Sequence, residues 1–391
     1  MKKISIAVAI DRSFEPRDFD RYGIVPLSKF FNVHVLDFSC IVNLRMHKGK
    51  KNHQSVIGKF DYEEREVILE YKSISKFLGQ EQISFYIDLM GASFSCMRIR
   101  RIISTHGASR IKLFLGELPQ LNSSKSLISR LKTAAMRGRF FFRIFEYVIR
   151  KFFIQKLEPK IDISIYSGSA CRERYNNQDK HIVWAHALDY QMYLNFLSSQ
   201  YKYTNETNYA VFLDQNAPSH PDYYFHKNKP PVTENNYYQS MNSFFDNFEN
   251  ITGIEIIIAS HPRISANKSC NQWGNRRSVI GETPSLVKGS DLVFAHYSTA
   301  ISFAVLLKKP VVQLITNEYV ESYRYDRFIA FNNELNLMQF NVDNDTIAKK
   351  DFFNFDKAAY KNYEELYLKS KHSSLDDLWV KVAEQINKYK E

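Results

Sequence analysis

The stretch DLVFAHYSTAISFAVLLKKPVVQLIT, residues 291–316, decides how this chain is read. An apolar run at 291–296 gives way to the polar His296-Tyr297-Ser298-Thr299. A helix is predicted over 298–309, and a second apolar run follows at 310–316. Strand, helix and strand in succession form the unit of a parallel sheet covered by helices.

The unit recurs in both directions. Upstream lie strands at 208–215 and 254–260, a helix over 237–253 closed by Gly253, and a short helix over 282–290 with proline in its first turn. The first half alternates likewise, with strands at 4–10, 32–38, 83–90, 110–116, 161–168 and 181–186 and helices over 19–31, 71–79 and 93–105. Two helices close the chain, over 357–371 and 374–389. The expectation is an α/β protein of two Rossmann-like domains, 1–200 and 201–391, joined in the polar stretch SSQYKYTNET at 198–207. No internal repeat of 20 to 50 residues is present, and 391 residues suit two domains.

Composition narrows the partners. Hydrophobic residues at 44% and charged residues at 24% describe a globular chain. A net charge of +11 points to an anionic partner: nucleic acid, an acidic membrane face or a phosphorylated small molecule. The four cysteines lie far apart with no CxxC, so neither a zinc site nor a disulfide framework is expected, and a reducing cytoplasm fits. The start reads as a first strand rather than a signal peptide. No run reaches the roughly 18 apolar residues that a membrane span requires.

Residues 124–158 stand apart, with Arg and Lys interleaved among Phe, Ile and Leu. The plain reading is a core-facing helix with a solvated basic face. The sharper reading is a helix lying on an anionic membrane surface. No nucleic-acid-binding pattern accompanies the charge, so nucleic acid is not an expected partner.

Two open sheets in tandem place a ligand cleft at the C-terminal ends of their strands. The loops there carry Asp214-Gln215-Asn216, then His261-Pro262-Arg263, then His296 through Thr299. Each has a plain reading alone: Ser298 as an ordinary N-cap, His261 as a satisfied structural histidine, Asp214 as a turn residue. Their shared placement on one edge argues for a phosphate site, with free backbone N–H groups and hydroxyls at the start of the helix.

A histidine-proline pair after a buried strand, followed by a Ser/Thr pair opening a helix, resembles the bacterial sialyltransferases and their relatives, including capsule Kdo transferases. The resemblance covers mainly residues 208–316. It implies a GT-B fold, with two domains facing a central cleft and C-terminal helices packing back toward the first domain. It further implies an inverting glycosyltransferase using a CMP-activated acidic sugar, with no metal and no cofactor. His261 would meet the leaving phosphate, Pro262 would fix its loop, and Ser298 and Thr299 would hold the same phosphate. Glu282 sits where relatives place a ribose-binding glutamate, with Thr283 beside it; a charge in the first turn of a helix is the equal plain reading. Arg263 would meet the sugar carboxylate, the phosphate or solvent, and Gln215 and His296 join the donor contacts.

The sequence departs from the family at the base. The family has two acidic residues and a glycine, whereas this chain has FLDQNAPSHPD. Asp214 is the first candidate and Asp11 the second, with Asp88, Glu117, His186 and Asp189 as further residues after strands of the first domain. A second pair, His220-Pro221, reads as loop or donor contact. The expected partners are a nucleotide-sugar donor and a glycan or lipid-linked glycan acceptor of lipopolysaccharide O-antigen or capsule, at the inner face of the cytoplasmic membrane. The rivals are a transferase using a UDP- or GDP-hexose, a non-catalytic polysaccharide-assembly protein, and a nucleic-acid binder.

Overall fold

A computed structural model describes residues 3–42 apart from 13 and 15, 65–121 apart from 69, 157–175, 181–199, 208–261 apart from 221–222 and 224–227, 272–347, and 352–390. The basic segment expected as a helix over 124–158 and the expected domain boundary fall largely outside these residues.

Two parallel sheets organise the chain. The first contains β1 (Ser5–Ile10), β2 (Asn32–Asp37), β3 (Arg65–Val67), β4 (Phe85–Asp88), β5 (Ser109–Phe114), β6 (Ile163–Tyr166) and β7 (His181–Trp184), in the order β3-β2-β1-β4-β5-β6-β7. The second contains β8 (Tyr209–Leu213), β9 (Glu255–Ser260), β10 (Ser278–Ile280), β11 (Leu292–Ala295), β12 (Val311–Ile315) and β13 (Met338–Asn341), in the order β10-β9-β8-β11-β12-β13. Every pairing is parallel. The central strands of the second sheet, Tyr209–Leu213, Leu292–Ala295 and Val311–Ile315, are buried end to end because helices cover both faces of the sheet.

The strand order fixes where a ligand belongs. In each sheet the chain first winds one way from the central strand and then the other. The winding reverses between β1 and β4 in the first sheet and between β8 and β11 in the second. A crevice opens at the C-terminal ends of the strands at such a reversal.

The closing helix Leu378–Lys390 returns to the first sheet, as expected. Its Leu378, Trp379, Val382, Ala383 and Ile386 share a core with Ile6, Val8, Val33 and Ile87. Two glycines permit this return. Gly23 has φ 63°, and a Cβ there would lie 2.0 Å from the Trp379 ring. Gly168, just after β6, would place a Cβ 1.9 Å from the Leu366 carbonyl oxygen, where a π-helical turn, Glu364–Leu368, crosses. The Ser370 amide donates to the Ser167 carbonyl (2.8 Å) and Ser167 Oγ to the Tyr367 carbonyl (2.8 Å), tying the crossing down.

Two expected helices are corrected. The helix over 19–31 is broken at Gly23 into Pro16–Arg21 and Ile24–Ser28, because that left-handed residue ends one helix and starts the next. The helix over 298–309 is shorter, Ile301–Leu306. Ser298 Oγ accepts from the Ala300 amide (3.2 Å), and the Ile301 and Ser302 amides bond back three residues, so 298–300 form a tight turn ahead of the helix. Among the described residues no helix is long and apolar enough to cross a membrane.

Candidate functional site

The C-terminal ends of β9, β8 and β11 lie side by side, so His261, Asp214-Gln215 and His296-Tyr297-Ser298 share one edge. Adjacent strands are about 4.8 Å apart, so the ends of β9 and β11 lie about 10 Å apart across β8.

Asp214 stands in the middle. Its side chain is buried, and Oδ1 accepts the Asn216 amide at 2.7 Å, closing the turn after β8. Burial pushes its pKa up to about 6; the amides of Asn216 and His261 and the Trp273 indole pull the other way. Oδ2 is buried and closes no hydrogen bond of ordinary geometry, and neither does Trp273 Nε1. The indole favours the ionised form by proximity without quenching the carboxyl. A desolvated carboxyl that titrates near neutrality is poised to move a proton.

The wall behind Asp214 is aromatic. Phe212, Trp273, Tyr237 and His296 pack edge to face, with centroids 5.4 Å apart for Phe212 with Trp273 and for Phe212 with His296. His296 belongs to this wall, which corrects its expected place among the ligand contacts. It is fully buried; Nε2 meets the Tyr237 hydroxyl at 2.8 Å and Nδ1 the Leu314 carbonyl at 2.6 Å. Burial pulls its pKa down to about 4, so the ring is neutral and both nitrogens are used within the protein.

Tyr297, the next residue, spans the reversal. Its amide donates to Gln215 Oε1 (3.2 Å), so the loops after β8 and β11 are joined across the crevice. Ser298 is half-buried and Thr299 exposed, both in the turn before Ile301. His261 is half-buried at the end of β9, its ring 4.9 Å from the ring of His220 in edge-on contact. Pro262 and Arg263 lie outside the described residues. Glu282 and Thr283 open the helix Thr283–Gly289 beyond β10, on the far side of β9 from Asp214, so they stand at the margin of this group.

The first sheet presents its own reversal. Asp11 follows β1, and its Oδ2 accepts the Gly91 amide after β4 at 2.8 Å. Of the further candidates in this domain, Asp88, Glu117 and His186 are engaged elsewhere. Asp88 is locked among Arg100, Arg110 and Lys112. Glu117 pairs with Arg174 and Tyr175. His186 is buried, meets the Asp376 carbonyl at 3.2 Å, and its pKa is lowered to about 4 by burial. Asp189, in the first turn of the helix Leu188–Ser198, is raised to about 6 by burial, with Arg21 opposing.

The structure therefore brings Asp214, Gln215, His261 and Ser298 to one edge and leaves Asp11 on the other sheet. His220, read from its sequence as loop or donor contact, stands beside His261, and Tyr237 and Tyr297 join the group without a sequence signal. A second histidine-proline pair one loop away was the signal for His220. The other two are defined by long-range packing. Among the described residues no cluster of three or more His, Cys, Asp or Glu is arranged to hold a metal ion.

Two sheets of this order, with the closing helix returned to the first, define a GT-B fold. Among solved structures the chain is similar to the UDP-GlcNAc 2-epimerase from Methanocaldococcus jannaschii, with TM-score 0.50 and 10% identity, covering 98% of this chain and 100% of the other. It is also similar to the glycosyltransferase of kitacinnamycin (TM-score 0.49, 8% identity, 100% and 99% covered) and to the UDP-GlcNAc 2-epimerase from Neisseria meningitidis (TM-score 0.47, 9% identity, 99% of each covered). No protein-family model matches the chain, and no curated protein does.

Proposed function

We propose that the chain is an inverting glycosyltransferase that takes a CMP-linked acidic sugar, of the nonulosonate or Kdo kind, as donor and a surface glycan or lipid-linked glycan as acceptor. Residues 201–391 form the donor side and residues 1–200 the acceptor side. The observation that carries this reading is the convergence of Asp214, His261 and the Ser298–Thr299 turn at the β8–β11 reversal.

The step is a direct displacement. An acceptor hydroxyl attacks the anomeric carbon, the bond from that carbon to the phosphate oxygen breaks, and CMP leaves with the electron pair. Asp214 takes the proton of the hydroxyl; Asp11 is the alternate base from the acceptor side. His261 and the Ser298 and Thr299 hydroxyls stabilise the charge growing on the departing phosphate, which matters more in the transition state than in the bound donor.

A second reading, a UDP-linked sugar as substrate, draws on one similar solved structure being a UDP-GlcNAc 2-epimerase. Both are tested by incubating the protein with CMP-, UDP- and GDP-linked sugars and a glycan acceptor and measuring which nucleotide is released. CMP release is expected, and Asp214→Asn and His261→Ala should each slow it about a hundredfold or more. Release of UDP alone, or wild-type rates in both variants, sinks the CMP reading.

A further inference from the structure

A second polar group lies where the two sheets meet. The loop after β5 carries Glu117, Leu118 and Pro119. Arg174, in the helix Ser169–Tyr175, pairs through Nη1 with Glu117 and donates through Nη2 to the Leu118 carbonyl at 3.1 Å. From the other sheet, Arg327 in the helix Tyr325–Leu335 points Nη1 at the Pro119 carbonyl, 3.5 Å away. Two guanidinium groups from different sheets therefore close on one short loop. Arg324, three residues before Arg327, adds a third, 5.0 Å from the Tyr323 ring centroid and 5.7 Å from that of Tyr223.

This group is continuous with the donor edge. Phe328 of the Arg327 helix packs edge-on against Tyr297 at 4.9 Å, and Tyr297 is the residue bonded to Gln215 across the crevice. Arg324 Nε is buried and has no hydrogen-bond partner. Glu117 is already shared by Arg174 and Tyr175. Arg327 feels the surplus of positive charge: burial first, then Arg324 and Arg174, lower its pKa, with Tyr297 and Glu117 opposing. Cations gathered where the two sheets meet, with an unused donor among them, are arranged for an anion, and guanidinium forks match carboxylate and phosphate oxygens.

We propose that Arg174, Arg324 and Arg327 form an anion subsite at the junction of the two sheets that holds a second charged group of the bound substrate, beyond the phosphate at His261. Its chemistry is a planar or tetrahedral oxyanion. The source is either the carboxylate of an acidic sugar or the second phosphate of a nucleoside diphosphate. The inference rests on the transferase reading for the place of the ligand, not for its turnover.

The test is equilibrium binding by calorimetry, which needs no catalysis. CMP, UDP and free N-acetylneuraminate in saturating CMP are titrated into the full chain and into Arg324→Gln and Arg327→Gln. If the source is the carboxylate, the acidic sugar binds both variants about tenfold or more weakly while CMP is unchanged. If it is the second phosphate, UDP weakens by that factor while CMP is unchanged. Melting curves confirm folding, and Arg324→Lys, which keeps the charge and loses the fork, should fall between wild type and Gln. The inference is overturned if neither UDP nor the acidic sugar binds the wild-type chain. It is overturned equally if either variant binds them as tightly as wild type, or if CMP weakens as much as they do. Absence of CMP release in the transfer assay would sink the CMP-transferase reading alone and leave a UDP result here standing.

Discussion

The two sheets share a strand order and differ in what lies beneath their reversals. In the first, the buried carboxylate Asp88 ends β4 and is surrounded by cations. Arg100 Nε lies 2.8 Å from Oδ2, Arg110 Nη2 2.7 Å and Lys112 Nζ 3.5 Å. In the second, the buried carboxylate Asp214 follows β8 and is surrounded by aromatic rings. Burial opposes ionisation of both. Lys112, Arg110 and Arg100 together overcome it at Asp88 and hold that carboxyl well below the usual range, whereas Asp214 is left raised to about 6. One topology thus yields a structural ion cluster in one sheet and a titratable group in the other, and the neighbours decide which.

Breaking the ionic side should have the largest effect. Asp88→Asn removes the charge that compensates Arg100, Arg110 and Lys112, leaving Glu158 as the remaining carboxylate on both arginines. Taking one partner from a buried ionic group costs about 3–5 kcal/mol. Urea denaturation at neutral pH should show a loss of that size; a change below about 1 kcal/mol would mean that the cations relax to solvent and that the contrast between the sheets is overstated.

The aromatic side should respond with the opposite sign. Below its unfolded pKa of 3.8 Asp214 is protonated in both states and contributes nothing to pH dependence. As pH rises toward about 6 the unfolded chain loses the proton while the folded chain keeps it, so stability falls across that window and stays lower above it. Asp214→Asn keeps an oxygen for the Asn216 amide and carries no charge to bury. It should therefore stabilise the protein by up to about 3 kcal/mol at pH 7.5 and by nothing at pH 3.5. Melting curves at the two pH values check this; an unchanged stability at pH 7.5 would show that the carboxylate is solvated, and a loss that its hydrogen bonds outweigh the cost of burial.

What the sequence revealed follows the same physical division. Strands buried on both faces, such as Ile256–Ser260 within β9 or Val311–Ile315, read as apolar runs because both faces need apolar side chains. The unread strands are β3, β10 and β13, all at sheet edges. Val279 and Gln339 are only half-buried there, so no run forms. The placement of Asp214, His261 and Ser298 on one edge was legible because strand ends are local features. The role of His296 was not: its ring nitrogens are claimed by Tyr237 and Leu314, 59 and 18 residues away. The arginines at the junction of the sheets escaped for the same reason, since Arg327 and Pro119 are 208 residues apart.

The smallest effect tests the wall itself. Tyr237→Phe keeps the ring that packs on Trp273, with centroids 6.1 Å apart, and removes only the hydroxyl that meets His296 Nε2. A buried nitrogen left without a partner costs about 1–3 kcal/mol. Because neutral His296 holds Leu314 through Nδ1, the ring has no cheaper arrangement available to it. Stability should drop by that amount at every pH above about 5, and the fitted pKa of Asp214 in a pH–rate profile should stay near 6, since its elevation comes from burial that the phenyl ring preserves. A fall of that pKa toward the ordinary carboxylate value in Tyr237→Phe would show that water enters behind Asp214 and that the hydroxyl, not the ring, keeps the second sheet's carboxylate dry.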